Sequence, residues 1–222
     1  GDGINDDYPA IQALLDSRAS EVSLPAPEKN YLISETLKIH GGQTLRLPRF
    51  AVIKLRGGAD RAMLEDDDFS VWKENICVDG GIWDMNNAAQ SPNLWHFADE
   101  SGVTSHDRLA ALGLKFPAPE LTEFVGFYSG NIMRFCRVKG LIIRNLTLKN
   151  PVCYGIQLGY VENFTVADIA FDFAVGAPKK WNMDGVHVEG YCRNGTIRNL
   201  KGACHDDTVA ITADDGLYGP IE

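Results

Sequence analysis

An internal repeat constrains this chain more than any other feature. Val138 opens one unit and Val161 the next, and 161 − 138 is 23 residues. Cys192 opens a third unit 31 residues later, which is 23 plus an insertion of 8. Apolar columns then align: Leu146, Ile169 and Leu200; Ile143, Val166 and Ile197; Ile156, Val186 and Val209; Leu158, Val188 and Ile211. Asn145, Asp168 and Asn199 form a polar column among them. A period in the twenties with alternating apolar positions marks a solenoid. The units read as strands: Val186-His187-Val188 and Val209-Ala210-Ile211 alternate with period two, and no stretch from 130 to 212 keeps a 3.6-residue apolar face. The leucine and asparagine consensus of a leucine-rich repeat is absent. The expected fold is all-β, a parallel β-helix of about 23 residues per coil, with rungs about 4.8 Å apart and the Asn145/Asp168/Asn199 column stacked as a ladder in a bend.

The front of the chain fits that architecture. Tyr8 to Ser17 reads as a short amphipathic helix with Pro9 in its first turn and Ile11, Leu14 and Leu15 on one face. Such a helix can cover the open edge of a solenoid. Strand-like segments follow to Leu55, punctuated by Gly41-Gly42 and Gly57-Gly58. Residues 86–124 break the pattern with Pro92, Trp95, His96, Phe97, Pro117 and Pro119. They read as a loop excursion beside a binding face, with a short helix at Asp107 to Leu114. The chain is expected to be a single β-helix domain over 1–222, trimmed at its C-terminus.

Net charge is −9 with no basic run, which argues against a nucleic-acid partner. No apolar stretch reaches about 18 residues, which argues against a membrane span. Five cysteines (77, 136, 153, 192, 204) lack zinc spacing and are odd in number, so buried thiols are expected rather than a disulfide framework. Asn145, Asn163 and Asn194 open glycosylation sequons that read as chance.

Two acidic motifs carry the chemistry: Asn182-Met183-Asp184-Gly185 and His205-Asp206-Asp207. Asp184 and Asp207 are 207 − 184 = 23 residues apart, one repeat, so the three carboxylates should gather on one patch. Clustered carboxylates repel, and a chain that keeps them uses them for proton transfer or for a cation. One difficulty is parity. Asp206 and Asp207 are adjacent, and Asp184 and Asp207 share the parity of the inward Val186 and Val209. All three can face outward only if the chain bends just before each strand, and that bend is expected.

These residues resemble a known family. Gly1-Asp-Gly-Ile-Asn-Asp-Asp-Tyr-Pro-Ala-Ile-Gln, Asn182-Met-Asp-Gly-Val-His-Val and His205-Asp-Asp-Thr-Val-Ala-Ile look like the opening, NTDG and GDD motifs of the polygalacturonase-type glycoside hydrolases (family 28). Those enzymes belong to the pectin-lyase-like superfamily of right-handed parallel β-helices. Met183 stands for Thr and His205 for Gly, and the family's later Gly-His-Gly and Arg-x-Lys motifs are not within this sequence. The resemblance implies an inverting hydrolase of pectin-like or related polysaccharide that needs no cofactor and no metal. Asp206 would be the general acid, while Asp184 and Asp207 would hold and deprotonate the water. It also implies an extracellular or periplasmic location.

Asn182 lies in the NxDG motif, and His187 on the strand beside it. His205 stands next to the acid, and Trp181 and Lys180 lie in the insertion before Asp184. All five are candidate substrate-binding residues. Trp95 and His96 are weaker ones, and Asp214 and Asp215 read as a solvated turn. Two other readings stay open: a polysaccharide lyase whose aspartates hold Ca²⁺, and a non-catalytic glycan-binding solenoid.

Overall fold

The computed structural model describes residues 1–91, 130–174 and 182–212. Its strands pair in parallel and coil into three faces. One face stacks β1 (Glu21–Ser23), β4 (Thr44–Arg46), β7 (Lys73–Asp79), the second half of β9 (Met133–Arg144), the middle of β11 (Ile156–Asp172) and β13 (Arg193–Ala203). The second stacks β2 (Tyr31–Ile33), β5 (Val52–Leu55), β8 (Ile82–Asp84), β10 (Thr147–Lys149) and the end of β11. The third stacks β3 (Leu37–Ile39), β6 (Leu64–Asp66), the starts of β9 and β11, β12 (Val186–Glu189) and β14 (Val209–Thr212).

Register explains the columns. On the third face Leu37, Leu64, Met133, Ile156, Val186 and Val209 are successive partners. The first five are fully buried. From Met133 to Ile156 and from Val186 to Val209 the chain advances 23 residues, from Ile156 to Val186 it advances 30, and from Thr44 to Cys77 it advances 33. Each coil keeps its rungs and varies the loops between them. The core columns include Trp83, Phe135 and Ile53, all at 0 % exposure. Burying one such side chain stabilises the fold by about 1.5–3 kcal/mol. Ile211 lies in the same column as Leu158 and Val188 but is 76 % exposed, because β14 is the outermost described rung of its face.

The corners between faces need left-handed backbone, which asparagine and aspartate tolerate better than other non-glycine residues. Asn145, Asp168 and Asn199 have φ of 56°, 58° and 54°. The Asn199 amide donates to Asp168 Oδ1 on the preceding coil (3.0 Å), and the Asn145 amide likewise donates to the preceding coil, to Asp79 Oδ1 (2.9 Å). A second corner column holds Asn75, Gly140, Asn163 and Asn194, all at positive φ, with Asn194 donating to Asn163 (3.1 Å). All three sequon asparagines thus sit at corners that select asparagine for its backbone.

Helix α1 (Tyr8–Asp16) caps the first coil, with Pro9 in its first turn. It buries Ile11 and Leu15 as expected, but Leu14 is 48 % exposed and Gln12 is buried in its stead, so the buried face is rotated toward Gln12. The cause is Gln12, whose carboxamide accepts from Lys38 N–H (2.8 Å) and donates to Lys38 O (3.1 Å). It supplies β3 with the bonds that a preceding strand would make, as Asp7 does for Leu32 N–H (2.9 Å). None of the five cysteines is in a disulfide, and burial pushes the Cys136 thiol up to about 12 and Cys192 up to about 11.

Candidate active site

The site lies where β12 and β14 begin. Gly155 N–H donates to Asp184 O, and Gly185 N–H to Asp207 O, each at 2.8 Å. Asp184 and Asp207 therefore occupy one column on successive rungs, just before Val186 and Val209. The bend demanded by parity is present. Asn182 takes a left-handed φ of 54°, and bends also fall at 185, 205, 206 and 208. Gly185 is required by space: a Cβ there would meet Thr208 O at 2.6 Å and the Cys204 sulfur at 2.9 Å. Any side chain would push apart the two rungs that carry the aspartates.

With the chain so bent, oxygens of Asp184, Asp206 and Asp207 come within 4.8 Å of one another. The trio does not face solvent uniformly, as the sequence reading expected. Asp206 and Asp207 are exposed, but Asp184 is 2 % exposed and forms the floor. Its Oδ2 lies 2.6 Å from His187 Nδ1, and its Oδ1 accepts from Asp207 N–H (3.2 Å). Among the described residues no lysine or arginine pairs with any of the three, and His187 is the side chain hydrogen-bonded to Asp184. Two full charges at this separation repel by about 3.5 kcal/mol at an effective dielectric near 20, and by less at the wet rim. Asp206 carries the consequence. Partial burial, then the charges of Asp184 and Asp207, raise its carboxyl above the ordinary range. That is the direction a proton donor needs.

The other predicted residues divide. The Asn182 amide donates to Tyr154 OH (3.1 Å) and braces that ring. His205 Nε2 contacts Ala174 O (3.1 Å) and ties the motif to the end of the preceding coil. His187 is not displayed on the surface, although its parity is opposite to Val186: it is 3 % exposed, stacked on Tyr154 with centroids 3.9 Å apart, and its Nε2 meets Thr212 Oγ1 (2.9 Å). Lys180, Trp181, Trp95, His96, Asp214 and Asp215 lie outside the described residues, as does most of the 86–124 excursion.

Sequence reasoning missed Tyr154, Glu189 and Thr212. The register contained the signal for Tyr154. Gly155 and Gly185 occupy the same column, so Tyr154 is the equivalent of Asp184 one coil earlier. Glu189 stands 3.8 Å from His187 Nε2 and accepts from Gln157 Nε2 at 2.5 Å.

No protein-family model and no curated protein matches the chain. Solved structures do. The family 28 exopolygalacturonase of Yersinia enterocolitica superposes with a TM-score of 0.70 at 17 % identity, covering 95 % of this chain and 43 % of that one. The exopolygalacturonase of Thermotoga maritima gives 0.70 at 16 % identity, covering 96 % and 52 %. PfbA, a surface adhesin of Streptococcus pneumoniae, gives 0.53 at 20 % identity, covering 85 % and 46 %. The chain spans about half the length of these three proteins. With its strands curled into one parallel coil, it has the parallel β-helix fold of these proteins.

Proposed function

We propose that the Asp184, Asp206 and Asp207 site hydrolyses glycosidic bonds in a pectin-like or related acidic polysaccharide. The observation that carries the reading is the convergence of three carboxylates with no described cation among them, one of them raised toward the range of an acid. Asp206, at the rim, protonates the leaving oxygen. Asp184, held on the floor by two contacts, shares with Asp207 the water that attacks. Glycoside hydrolysis needs these two roles and no cofactor. The likeness to two pectin-degrading hydrolases and the matching NxDG and DD motifs support the same assignment, and with it an extracellular or periplasmic location. No described helix is long and apolar enough to cross a membrane.

The carboxylates are closer together than the roughly 6.5–9.5 Å usual for an inverting pair. In this reading the water lies against Asp184 and Asp207 on one side of the sugar instead of between two opposed acids, and the product inverts. Three oxygens at this spacing also resemble part of a calcium site, though calcium takes about six to eight.

The test is release of sugar from a panel of pectic and other plant polysaccharides, with the anomeric configuration of fresh product read by NMR. New reducing ends of inverted configuration, without ultraviolet-absorbing product, are expected. Unsaturated product would establish a lyase instead, and its loss on chelation a calcium-dependent one. Saturable binding with no turnover would establish a glycan-binding solenoid like an adhesin.

A further inference from the structure

We propose that His187 is a positioning residue that pins the Asp184 carboxylate in the orientation needed to hold the attacking water. The inference rests on the hydrolase reading and adds a role for a group that never touches the sugar. A carboxylate is acceptor-only when ionised, so the 2.6 Å contact between His187 Nδ1 and Asp184 Oδ2 puts the ring proton on Nδ1. Asp207 N–H holds the other oxygen (3.2 Å). The carboxylate is thereby fixed at two points, and each oxygen keeps a lone pair for water.

The ring that does the pinning is itself fixed. Tyr154 stacks on it with an interplanar angle of 11°, and Asn182 braces the tyrosine hydroxyl. At the far nitrogen stand Thr212 Oγ1 (2.9 Å) and Glu189 Oε1 (3.8 Å). Glu189 is anchored in turn. Gln157 donates to it, Arg134 donates to Gln157 (3.1 Å), and Arg134 pairs with Glu65 (2.9 Å). A buried polar line therefore runs along the outer side of the third face and ends on Asp184. Its residues are 1–8 % exposed from Glu65 to His187, which leaves a sugar no approach to the imidazole. Acids and bases oriented by a buried partner are a recurring catalytic device.

The test is a pair of near-isosteric substitutions. Asparagine places its amide nitrogen close to where Nδ1 lies, whereas glutamine places it near Nε2. His187→Asn should therefore keep the donor to Asp184 and hold kcat within about 10-fold, while His187→Gln loses it and drops kcat by about 100-fold, with KM little changed in both. A role in packing alone predicts equal losses, and contact with substrate predicts a rise in KM; either result overturns the proposal. A second readout needs no turnover. The Nδ1 proton of wild-type protein should resonate far downfield and vanish in Asp184→Ala. Its persistence there would overturn the pin. An inactive wild type showing that proton, and losing it in Asp184→Ala, would sink the hydrolase reading while supporting the pin.

Discussion

Two groups of carboxylates lie on the same face of this β-helix, and they are treated oppositely. At the N-terminal end, Glu65 is paired with Lys38 (2.6 Å) and Arg134 (2.9 Å), and Asp66 with Lys73 (2.7 Å). Phe69 lies against the Arg134 and Lys38 cations, at 4.9 and 5.5 Å. At the other end Asp184, Asp206 and Asp207 crowd within 4.8 Å, with no described lysine or arginine beside them and a histidine hydrogen-bonded to Asp184. Neutralised acids inside a fold are structure, because breaking the pair strands a charge. Acids left crowded against a solvent-facing rim do the opposite: they raise the proton affinity of one member, at some cost in stability, and hold it ready for transfer.

Lys73→Met should have the largest effect on stability. It should destabilise the protein by about 3–5 kcal/mol at neutral pH, measured by urea unfolding, because it leaves Asp66 buried without its cation. The cost should shrink as the pH is lowered. Burial already pushes the Asp66 carboxyl up to about 6. A carboxyl raised above its ordinary 3.8 adds stability below that value and withdraws it as pH rises through the folded one, so Asp66 escapes its charge by protonating below about 6. Asp207→Asn probes the other end. It should lower turnover about 100-fold or more, yet leave the urea midpoint unchanged or higher, since it removes a repelling charge.

The same variant also tests the electrostatics around Asp206. An NMR titration of Asp206 in Asp207→Asn should show a lower midpoint than in wild type, closer to 3.8, because one of the two neighbouring charges that raise it is gone. The smallest effect is expected where a pair is neither buried nor crowded. Arg193 meets Glu162 at 2.8 Å with its side chain 54 % exposed, and Arg193→Ala should cost less than about 1 kcal/mol by thermal or urea unfolding.

Much of this contrast was legible because a β-helix converts sequence spacing into spatial stacking. Asp184 and Asp207 share a column for the same reason that Val186 and Val209 do. Parity alone required the bend before each strand. The depth of Asp184 was not legible, since period-two alternation tells inward from outward but says nothing of what covers an outward side chain. His187 shows the same gap: its parity points away from the core, and it is buried all the same beneath Tyr154 and Thr212. Tyr154 could have been found by extending the Asp184 column one coil back. Gln12 was missed because apolar periodicity does not register a side chain that imitates a strand edge.

The crowded trio is proposed to perform chemistry and not to hold the fold together. Turnover and urea midpoint of Asp206→Asn, measured on the same preparation as wild type, test it most directly. Turnover is expected to fall by about 100-fold to 10,000-fold with the midpoint unchanged or slightly raised. Retained turnover, or a loss of turnover accompanied by a collapse in stability, would contradict it.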